Sequence, residues 1–530
     1  MSVCKRAVVL LAACVLQIPR SVADPCPADA APFTLPSQIT EAEQIKYSTL
    51  FSVQHYATYK VINFTDSLQF ESSWLPGPDL TGQAFPDMVL YKCGTERPTT
   101  GVSEDAMFFS VPIERVVVAR SLELLHFLEL LSVTEQIDVI DMAGISSPCQ
   151  QLLEVCNPSI HGSIWDETWH ESHEIAKDSM AVFTDSWGTG TTNSNGELTA
   201  NTSRAVPFDM HFDVSGILQR AEWIRFVALF FNLEVEAGRI FARIEADYMA
   251  LKDEAARLQG ERASAAPLVA WVMCDRPSAS RSTYYILSSP FFSDTTQEAG
   301  GRPLTVLNAG PNCTIENESW YSYKCIGTPE GAQHFRELLA GVDVIIDESY
   351  VDDNASYTLD DFIFNCGGDA ADFSATLPEA VFHFAFDTAA NERMSAQPQE
   401  FLSDMMHAIW GSSFQGPCEY THLRSLYGHG GTQAPWVSPE HTDCPMYDPQ
   451  GTHDCEAIHD YDHEVHRCAL VTTSSSSSES STSSITSSIA SSSTSSRQPE
   501  ASSGNTMMVL APCAFASVFC FHLLCYGRAA

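Results

Sequence analysis

One long stripe of apolar residues constrains the fold of this chain more than any other feature. Between Leu233 and Gln259 the apolar side chains recur at steps of three and four residues, the spacing of one helix face. At 1.5 Å per residue, such a helix spans about 40 Å. Asn232 is its predicted N-cap, and the preceding segment Ile217–Phe231, apolar nearly all round, predicts a buried helix.

Short β-like runs alternate with helical patterns on both sides of this helix. The strands predicted before it are Ile113–Val118, Asp138–Ile140, Met180–Phe183 and Ala205–Phe208. The elements predicted after it are the strands Leu268–Met273, Val342–Ile346 and Val381–Phe384 and the helices Pro329–Leu339 and Glu400–Ile409. Such alternation favours α/β layers with largely parallel sheets. We therefore predict an α/β fold of two Rossmann-like lobes that are joined by one long backbone helix, with a cleft between the lobes.

Both ends of the chain carry targeting signals. Lys5 and Arg6 precede the apolar run Ala7–Leu16, and small residues lead to Ala23, which predicts a signal peptide over residues 1–23. A Ser/Thr-rich stalk followed by an apolar tail predicts a GPI-anchor signal, and a C-terminal membrane helix is the alternative. The expected location is therefore the cell surface, reached by secretion.

These features divide the chain into seven segments. They are the signal peptide (1–23), introductory strands with an N-terminal lobe (24–232), the backbone helix (233–259), a C-terminal lobe (260–417), a small disulfide-rich Cys/His segment (418–468), the stalk (469–506) and the GPI-signal tail (507–530).

The cysteines and glycosylation sequons agree with an oxidising compartment. Removal of the signal and the tail leaves an even number of cysteines, as disulfides require. Spacing predicts two local disulfides, Cys149 with Cys156 and Cys313 with Cys325, and the remaining connectivity stays open. The predicted N-glycosylation sites are Asn63, Asn201, Asn312, Asn317 and Asn354.

The charge of the chain restricts its partners. The formal net charge is −39 at pH 7. A nucleic-acid-binding protein needs a basic surface, so this class is excluded. The acidic balance tolerates cationic ligands, and a solvated acidic surface without any ligand is the alternative.

Several segments occur in an order that is typical of one family. They are Phe51–Val53 with Tyr59–Ile62, Val89–Gly94, Val111–Val118 with Ser121, Ala221–Asn232, Ala299–Gly301 and Asp343–Asp347. In these segments the chain resembles the helical-backbone class (class III) of periplasmic substrate-binding proteins, over residues 44–415. The resemblance implies a two-lobed binder for iron–siderophore, haem, cobalamin or metal uptake that moves little on closing. It does not identify the ligand.

Residues that follow the strands are the candidates for a ligand site, because ligands of open α/β sheets lie beyond the carboxyl ends of the strands. Glu348, for example, follows the predicted strand Val342–Ile346. The predicted cleft residues are Arg120, Ser121, Asp141, Trp187, His211, Asp213, Asp275, Arg276, Asp347, Tyr350 and Asp387. Carboxylates with His suit a hard or borderline cation such as ferric iron, whereas aromatic side chains with Arg suit a metal chelate.

A second candidate site lies in the Cys/His segment. His459, His463 and His466 have the spacing of one helical face, which predicts an auxiliary metal site. A disulfide-tied neck with solvated histidines is the alternative.

The sequence therefore predicts a non-enzymatic extracellular solute-binding protein. It would capture iron, another metal or a metal chelate between its lobes and pass it to a membrane transporter, with no cofactor required and no nucleic-acid partner. One alternative is an interaction or adhesion ectodomain that keeps the fold without a ligand. The other is a secreted hydrolase, although the chain has no nucleophile elbow and no P-loop.

Overall fold

The fold is described by a computed structural model. It covers residues 26, 31–40, 43–65, 84–119, 121–141, 145–157, 160, 180–184, 204–208, 217–278, 281–316, 321–351, 356–368, 380–384, 393–416, 422–426 and 440–447. Residues up to Thr472 form one compact unit, and the second unit, from Thr473 onward, lies outside the described residues.

The strands of the described residues form three sheets. The introductory sheet has the order β1 (Phe51–His55), β2 (Tyr59–Phe64), β3 (Met88–Lys92) and β4 (Met107–Val111). The second has the order β6 (Ile137–Asp141), β5 (Val116–Ala119), β7 (Ala181–Thr184) and β8 (Ala205–Pro207). The third has the order β12 (Cys313–Ile315), β13 (Tyr321–Ile326), β10 (Arg281–Leu287), β9 (Leu268–Ser278), β14 (Val344–Asp347), β15 (Val381–Phe384) and β16 (Leu423–Ser425), with β11 (Arg302–Pro303) paired to β9.

The prediction of largely parallel sheets is correct for the β5–β8 sheet and only partly correct for the third sheet. All neighbours in the β5–β8 sheet are parallel. In the third sheet, β9, β11, β14 and β15 are parallel, whereas β10, β12, β13 and β16 pair antiparallel to their neighbours. Short connections between consecutive strands account for the antiparallel pairs β9–β10 and β12–β13, whereas longer segments connect β10 with β13 and β15 with β16.

The helices surround these sheets. Their bounds are α1 (Glu123–Leu130), α2 (Pro148–Cys156), α3 (Ile217–Ala221), α4 (Trp223–Phe231), α5 (Glu234–Glu261), α6 (Pro290–Glu298), α7 (Pro329–Leu339), α8 (Leu359–Asn365) and α9 (Pro398–Trp410). Within the described ranges, none of the helices is both long enough and apolar enough to cross a membrane.

A long helix is present at the predicted position, because α5 is an unbroken helix of 28 residues. Its buried face contains the predicted stripe, including Ile244, Tyr248 and Leu251, each at most 1% exposed. The fully buried Trp223 and Phe230 of α4 belong to the same hydrophobic cluster, which also contains residues of all three sheets. The largest hydrophobic cluster of the described residues therefore connects the three sheets through α4 and α5.

Asn232 does not cap α5 as the sequence predicts. It is the C-cap of α4 in the left-handed conformation, with φ of 58°, and Leu233 precedes α5 instead. The side chain is occupied elsewhere, because its Oδ1 accepts a hydrogen bond from the buried Lys60 ammonium at 2.8 Å. Lys60 also pairs with Glu234, so a buried ion pair fixes the α4–α5 corner.

The predicted helix over Ile217–Phe231 is divided into α3 and α4 at Glu222. This carboxylate is fully buried and accepts backbone N–H groups of Lys46, Tyr47 and Ser48 at 2.7, 2.6 and 2.8 Å. It also pairs with Arg225 at 3.1 Å. Glu222 therefore fastens the segment before β1 to the buried helices.

The disulfides correct one of the two predicted pairs. Cys313 pairs with Cys325, as their spacing predicts, and Cys26–Cys93 and Cys274–Cys366 are further pairs. The predicted Cys149–Cys156 pair is wrong, because Cys149 is bonded to Cys444. Both cysteines of the predicted pair lie in α2, where seven residues separate their Cα atoms by about 10 Å, beyond the reach of a disulfide.

Candidate functional site

The carboxyl ends of the parallel strands define the edge at which a ligand site is expected. Of the predicted cleft residues, the described part of the chain contains Ser121, Asp141, Asp275, Arg276, Asp347 and Tyr350. Arg120, Trp187, His211, Asp213 and Asp387 lie outside the described residues. Asp141 is the last residue of β6.

Three polar residues lie near the carboxyl ends of β9 and β14 or on the adjoining strand β10, and we call Asp275, Tyr285 and Glu348 the edge cluster. Asp275 lies near the end of β9, and Tyr285 pairs with Met273 of the same strand. Glu348 directly follows β14, and its backbone N–H donates to the carbonyl of Val272 at 2.8 Å. Strand alternation places Asp275 and Tyr285 on one face of the sheet. The cluster is thus built by two neighbouring parallel strands and one hairpin partner.

The surroundings of the edge cluster favour its protonated forms. Burial raises the pKa of Glu348 to about 8, and the Asp347 charge adds to this rise while Arg220 opposes it. Burial also raises the pKa of the Asp275 carboxyl. The pKa of Tyr285 rises to about 12, mainly through burial and then through the Asp275 charge. Carboxyl groups in such a setting gain from a proton or from a cationic ligand.

Arg220 places a positive charge where it acts on the edge cluster. It lies on α3, which follows β8 of the four-stranded parallel sheet, and its side chain is nearly buried. The guanidinium carbon lies 4.4 Å from the centroid of the Phe291 ring on α6. Its charge also acts on Glu348. A residue that follows the four-stranded parallel sheet thus contacts α6 and acts electrostatically on a residue that follows β14 of the third sheet.

Asp347 belongs to a different, fully buried group. Its Oδ1 accepts the backbone N–H of Ser349 at 3.0 Å, and its Oδ2 accepts the Tyr357 hydroxyl at 2.8 Å. Nδ1 of His383, itself fully buried on β15, lies 3.3 Å from Oδ2. Neither Asp347 nor His383 is exposed to solvent. This arrangement ties β14, β15 and the Tyr357 region together and offers no surface to a ligand.

The other described cleft candidates do not join the edge cluster. The guanidinium carbon of Arg276 lies 3.8 Å from the Phe364 ring centroid on α8, and Arg276 also donates to the Phe364 carbonyl. Tyr350 is 57% exposed, and Ser121 is buried ahead of α1. Alternation along β9 explains why Arg276 lies on the face opposite to its neighbour Asp275.

A second contact joins an element that follows β5 of the four-stranded sheet to one that follows β15 of the third sheet. His126 lies on α1, which follows β5, and Gln397 precedes α9, which follows β15. The amide nitrogen of Gln397 lies 2.9 Å from Nε2 of His126, whose Nδ1 lies 2.9 Å from the Glu129 carboxylate. With the ring proton on Nδ1, His126 donates to Glu129 and accepts from Gln397. Ser147 donates to the same carboxylate.

Metal-ligand geometry is not found within the described residues, where no three His, Cys, Asp or Glu side chains come together as potential ligands. His459, His463 and His466 lie outside the described residues, so the auxiliary metal site stays a prediction.

Sequence reasoning did not identify Arg220, Tyr285, His126 or Gln397. One signal pointed to Arg220, because a charged residue in a nearly all-apolar helix needs a buried partner. Tyr285 and the His126–Gln397 contact carry no local signal, since their neighbours are distant in sequence.

Comparison with known proteins gives distant structural similarity only. No family model matches the chain, and no curated protein matches it. Similar solved structures include a periplasmic haem-binding protein from Pseudomonas aeruginosa, with 10% identity, a TM-score of 0.37 and coverage of 59% of this chain and 97% of that one. An Fe3+-hydroxamate transport protein from Saccharomonospora viridis has 15% identity and a TM-score of 0.37, and the match covers 57% of this chain and 95% of that one. The siderophore-binding protein FeuA from Bacillus subtilis, complexed with ferri-bacillibactin, has 13% identity and a TM-score of 0.36, and the match covers 60% of this chain and 98% of that one. Similarity at this level leaves the family and the ligand open.

Proposed function

We propose that this protein is a non-enzymatic solute-binding protein of the cell surface. It captures iron, another metal or a metal chelate between the elements that follow the four-stranded parallel sheet and those that follow the parallel strands of the third sheet, and passes the ligand to a membrane transporter. The long helix α5 serves as the stiff connection between the two halves.

The observation that carries this proposal is the contact between Arg220 and Phe291. Arg220 follows the four-stranded parallel sheet, and its guanidinium carbon lies 4.4 Å from the ring centroid of Phe291 on α6, which follows β10 of the third sheet. The Arg220 charge also acts on the carboxyl of Glu348, which follows β14. Residues beyond the carboxyl ends of both sheets thus approach one place, as an interlobe site requires. Asp275 supplies a second carboxyl at the same edge, and Arg220 supplies a cation for an acidic chelate.

A thermal-unfolding panel tests the capture of a ligand. The mature protein is heated with ferric chelates, haem, cobalamin and divalent metals in turn. A ligand at about 100 times its Kd adds about 2.7 kcal/mol to the unfolding free energy, which raises the melting temperature by several degrees. Glu348→Gln should reduce that rise, whereas Glu337→Gln, at an exposed position of α7, should leave it unchanged. A flat response to the whole panel removes the capture proposal.

An interaction ectodomain is the second candidate, and one observation favours it. The His126–Gln397 contact is largely buried, so side chains fill part of the region between the sheets. Cellular metal content distinguishes the two functions. If the protein captures solute, its deletion lowers the metal content of metal-limited host cells. If the protein is an interaction ectodomain without a ligand, its deletion leaves the metal content unchanged.

The proposed attachment to the cell surface is a GPI anchor that replaces the tail 507–530. Release of the protein from intact cells by a phosphatidylinositol-specific phospholipase supports this attachment. Retention on the cells favours a C-terminal membrane helix instead.

A further inference from the structure

Asn312 differs from the other described sequon residue in its setting. Of the five sequons, the described residues contain Asn63 and Asn312. Asn63 lies within β2, is half-buried, and accepts a hydrogen bond from Gln54 at 3.2 Å. Asn312 is exposed, has a φ of 55°, and directly precedes β12. Asparagine tolerates this left-handed conformation better than most residues.

The strand beside Asn312 lies at the edge of the largest sheet, and no further strand pairs with it within the described residues. β12 is the terminal strand of the eight-stranded sheet and is only three residues long. Ile315 on β12 and Ile326 on β13 are 48% and 58% exposed. An uncovered edge with exposed apolar side chains is a template for pairing with another chain, and proteins generally cover or blunt such edges.

The side-chain amide of Asn312 can carry a substituent at this edge while it keeps its hydrogen bond to Thr328. Its Nδ2 donates to the Thr328 hydroxyl at 2.9 Å, and that hydroxyl caps α7 by accepting the Gly331 N–H at 3.1 Å. A primary amide nitrogen has two hydrogens, so this contact uses one and leaves the other for a sugar bond. The Thr328 contact would hold the base of a glycan in a fixed direction.

The disulfides of this region favour an oxidising, glycosylating compartment. Cys313, the middle residue of the Asn312 sequon, is bonded to Cys325 across β12 and β13. Cys274 and Cys366 form another bond in the same half of the chain. Structural disulfides of this kind are typical of exported proteins.

We propose that Asn312 carries an N-linked glycan that covers the β12 edge and prevents its pairing with a second copy of this chain. The sugar comes from an oligosaccharide pyrophosphate-lipid donor. The bond from Nδ2 to the anomeric carbon forms, the bond from that carbon to the pyrophosphate oxygen breaks, and Nδ2 loses one proton. The proposal depends on export of the chain and is independent of solute capture.

Site mapping and self-association test the two parts of this proposal. The full chain is produced in a glycosylating eukaryotic host, and its peptides are treated with peptide:N-glycosidase, which converts a glycosylated Asn312 to Asp. Thr314→Val removes the sequon, and Thr314→Ser preserves it. Both are made with Asn317→Gln so that a neighbouring glycan cannot substitute. We expect Thr314→Val to raise the fraction of self-associated protein in sedimentation velocity about two-fold or more.

Controls separate the glycan from the fold. Thr65→Val removes the sequon of Asn63 and should leave self-association unchanged. Mapping of the Cys313–Cys325 bond and a melting curve establish that Thr314→Val is folded. An unmodified Asn312 peptide overturns the site. A modified Asn312 with equal self-association of Thr314→Val and Thr314→Ser overturns its role at the edge.

Discussion

Glu348 should make the stability of the protein depend on pH. Burial and the Asp347 charge raise its pKa from 4.5 to about 8 in the folded state. Between these two values the folded protein holds a proton that the unfolded chain has lost, so the free energy of unfolding falls as pH rises through this window. The pKa difference sets an upper limit of about 5 kcal/mol on that fall.

Glu348→Gln should flatten this dependence, because the amide stays neutral at every pH. Urea unfolding between about pH 5 and pH 8 measures the slope. The matched control is Glu337→Gln on the exposed face of α7, which should keep the wild-type slope. A Glu348→Gln protein with the wild-type slope would show that another group is responsible.

Strand alternation explains what the sequence could and could not reveal about single residues. Asp347 and Glu348 both follow a predicted strand, which made both plausible candidates. In the structure Asp347 is buried among Ser349, Tyr357 and His383, whereas the charge of Arg220 acts on Glu348. His383, which pairs with Asp347, and Arg220, whose charge acts on Glu348, are tens of residues or more away from these carboxyls along the chain. Sequence spacing alone could therefore not assign them.

Helix α5 is the element that the sequence predicted best, because its apolar stripe is a local pattern. Its end differs by two residues from the prediction. The corner before it was predicted less well, since Asn232 is held by Lys60, which is 172 residues away. Likewise, the break at Glu222 follows from backbone groups of Lys46–Ser48 that no local pattern connects to this helix.

A proline in the middle of α5 should destabilise the protein strongly. Met249 lies on the exposed side of the helix, with 43% of its side chain accessible, so its replacement removes little packing. Met249→Pro removes one backbone hydrogen bond and introduces a clash with the preceding turn, which costs about 3 kcal/mol or more. Met249→Ala keeps the helix and should change the stability by less than about 0.5 kcal/mol.

Chemical denaturation of the two Met249 variants measures this difference. If α5 is the continuous strut of the molecule, only Met249→Pro shifts the midpoint to lower denaturant. Equal midpoints for the two variants would mean that this helix does not support the folded core.

At the scale of the whole molecule, the Cys149–Cys444 bond joins distant parts of the chain. Cys149 lies on α2, which follows β6 of the four-stranded parallel sheet, and Cys444 lies beyond β16 of the eight-stranded sheet. Leu152, Leu153, Met446 and Tyr447 pack around the bond in a small hydrophobic cluster. The sequence could not predict this pair, because a bond across 295 residues leaves no mark in local spacing.

The length of the closed loop predicts how much this bond contributes. In the chain-entropy model, a cross-link restricts the unfolded chain more as the loop grows. In this model, replacing both Cys149 and Cys444 by Ala should cost about 5–6 kcal/mol for a closed loop of 295 residues. The matched double replacement of Cys313 and Cys325, whose bond closes a loop of 12 residues, should cost about 3 kcal/mol.

Two measurements check this expectation. Peptide mapping of the unreduced protein should yield a cross-linked peptide that contains Cys149 and Cys444, whereas a bond between Cys149 and Cys156 would contradict the helical geometry of α2. Urea unfolding then compares the two double variants. A larger loss on removing the short loop would mean that the long bond is offset by residual structure in the unfolded chain, because the entropy of closing a loop grows with its length.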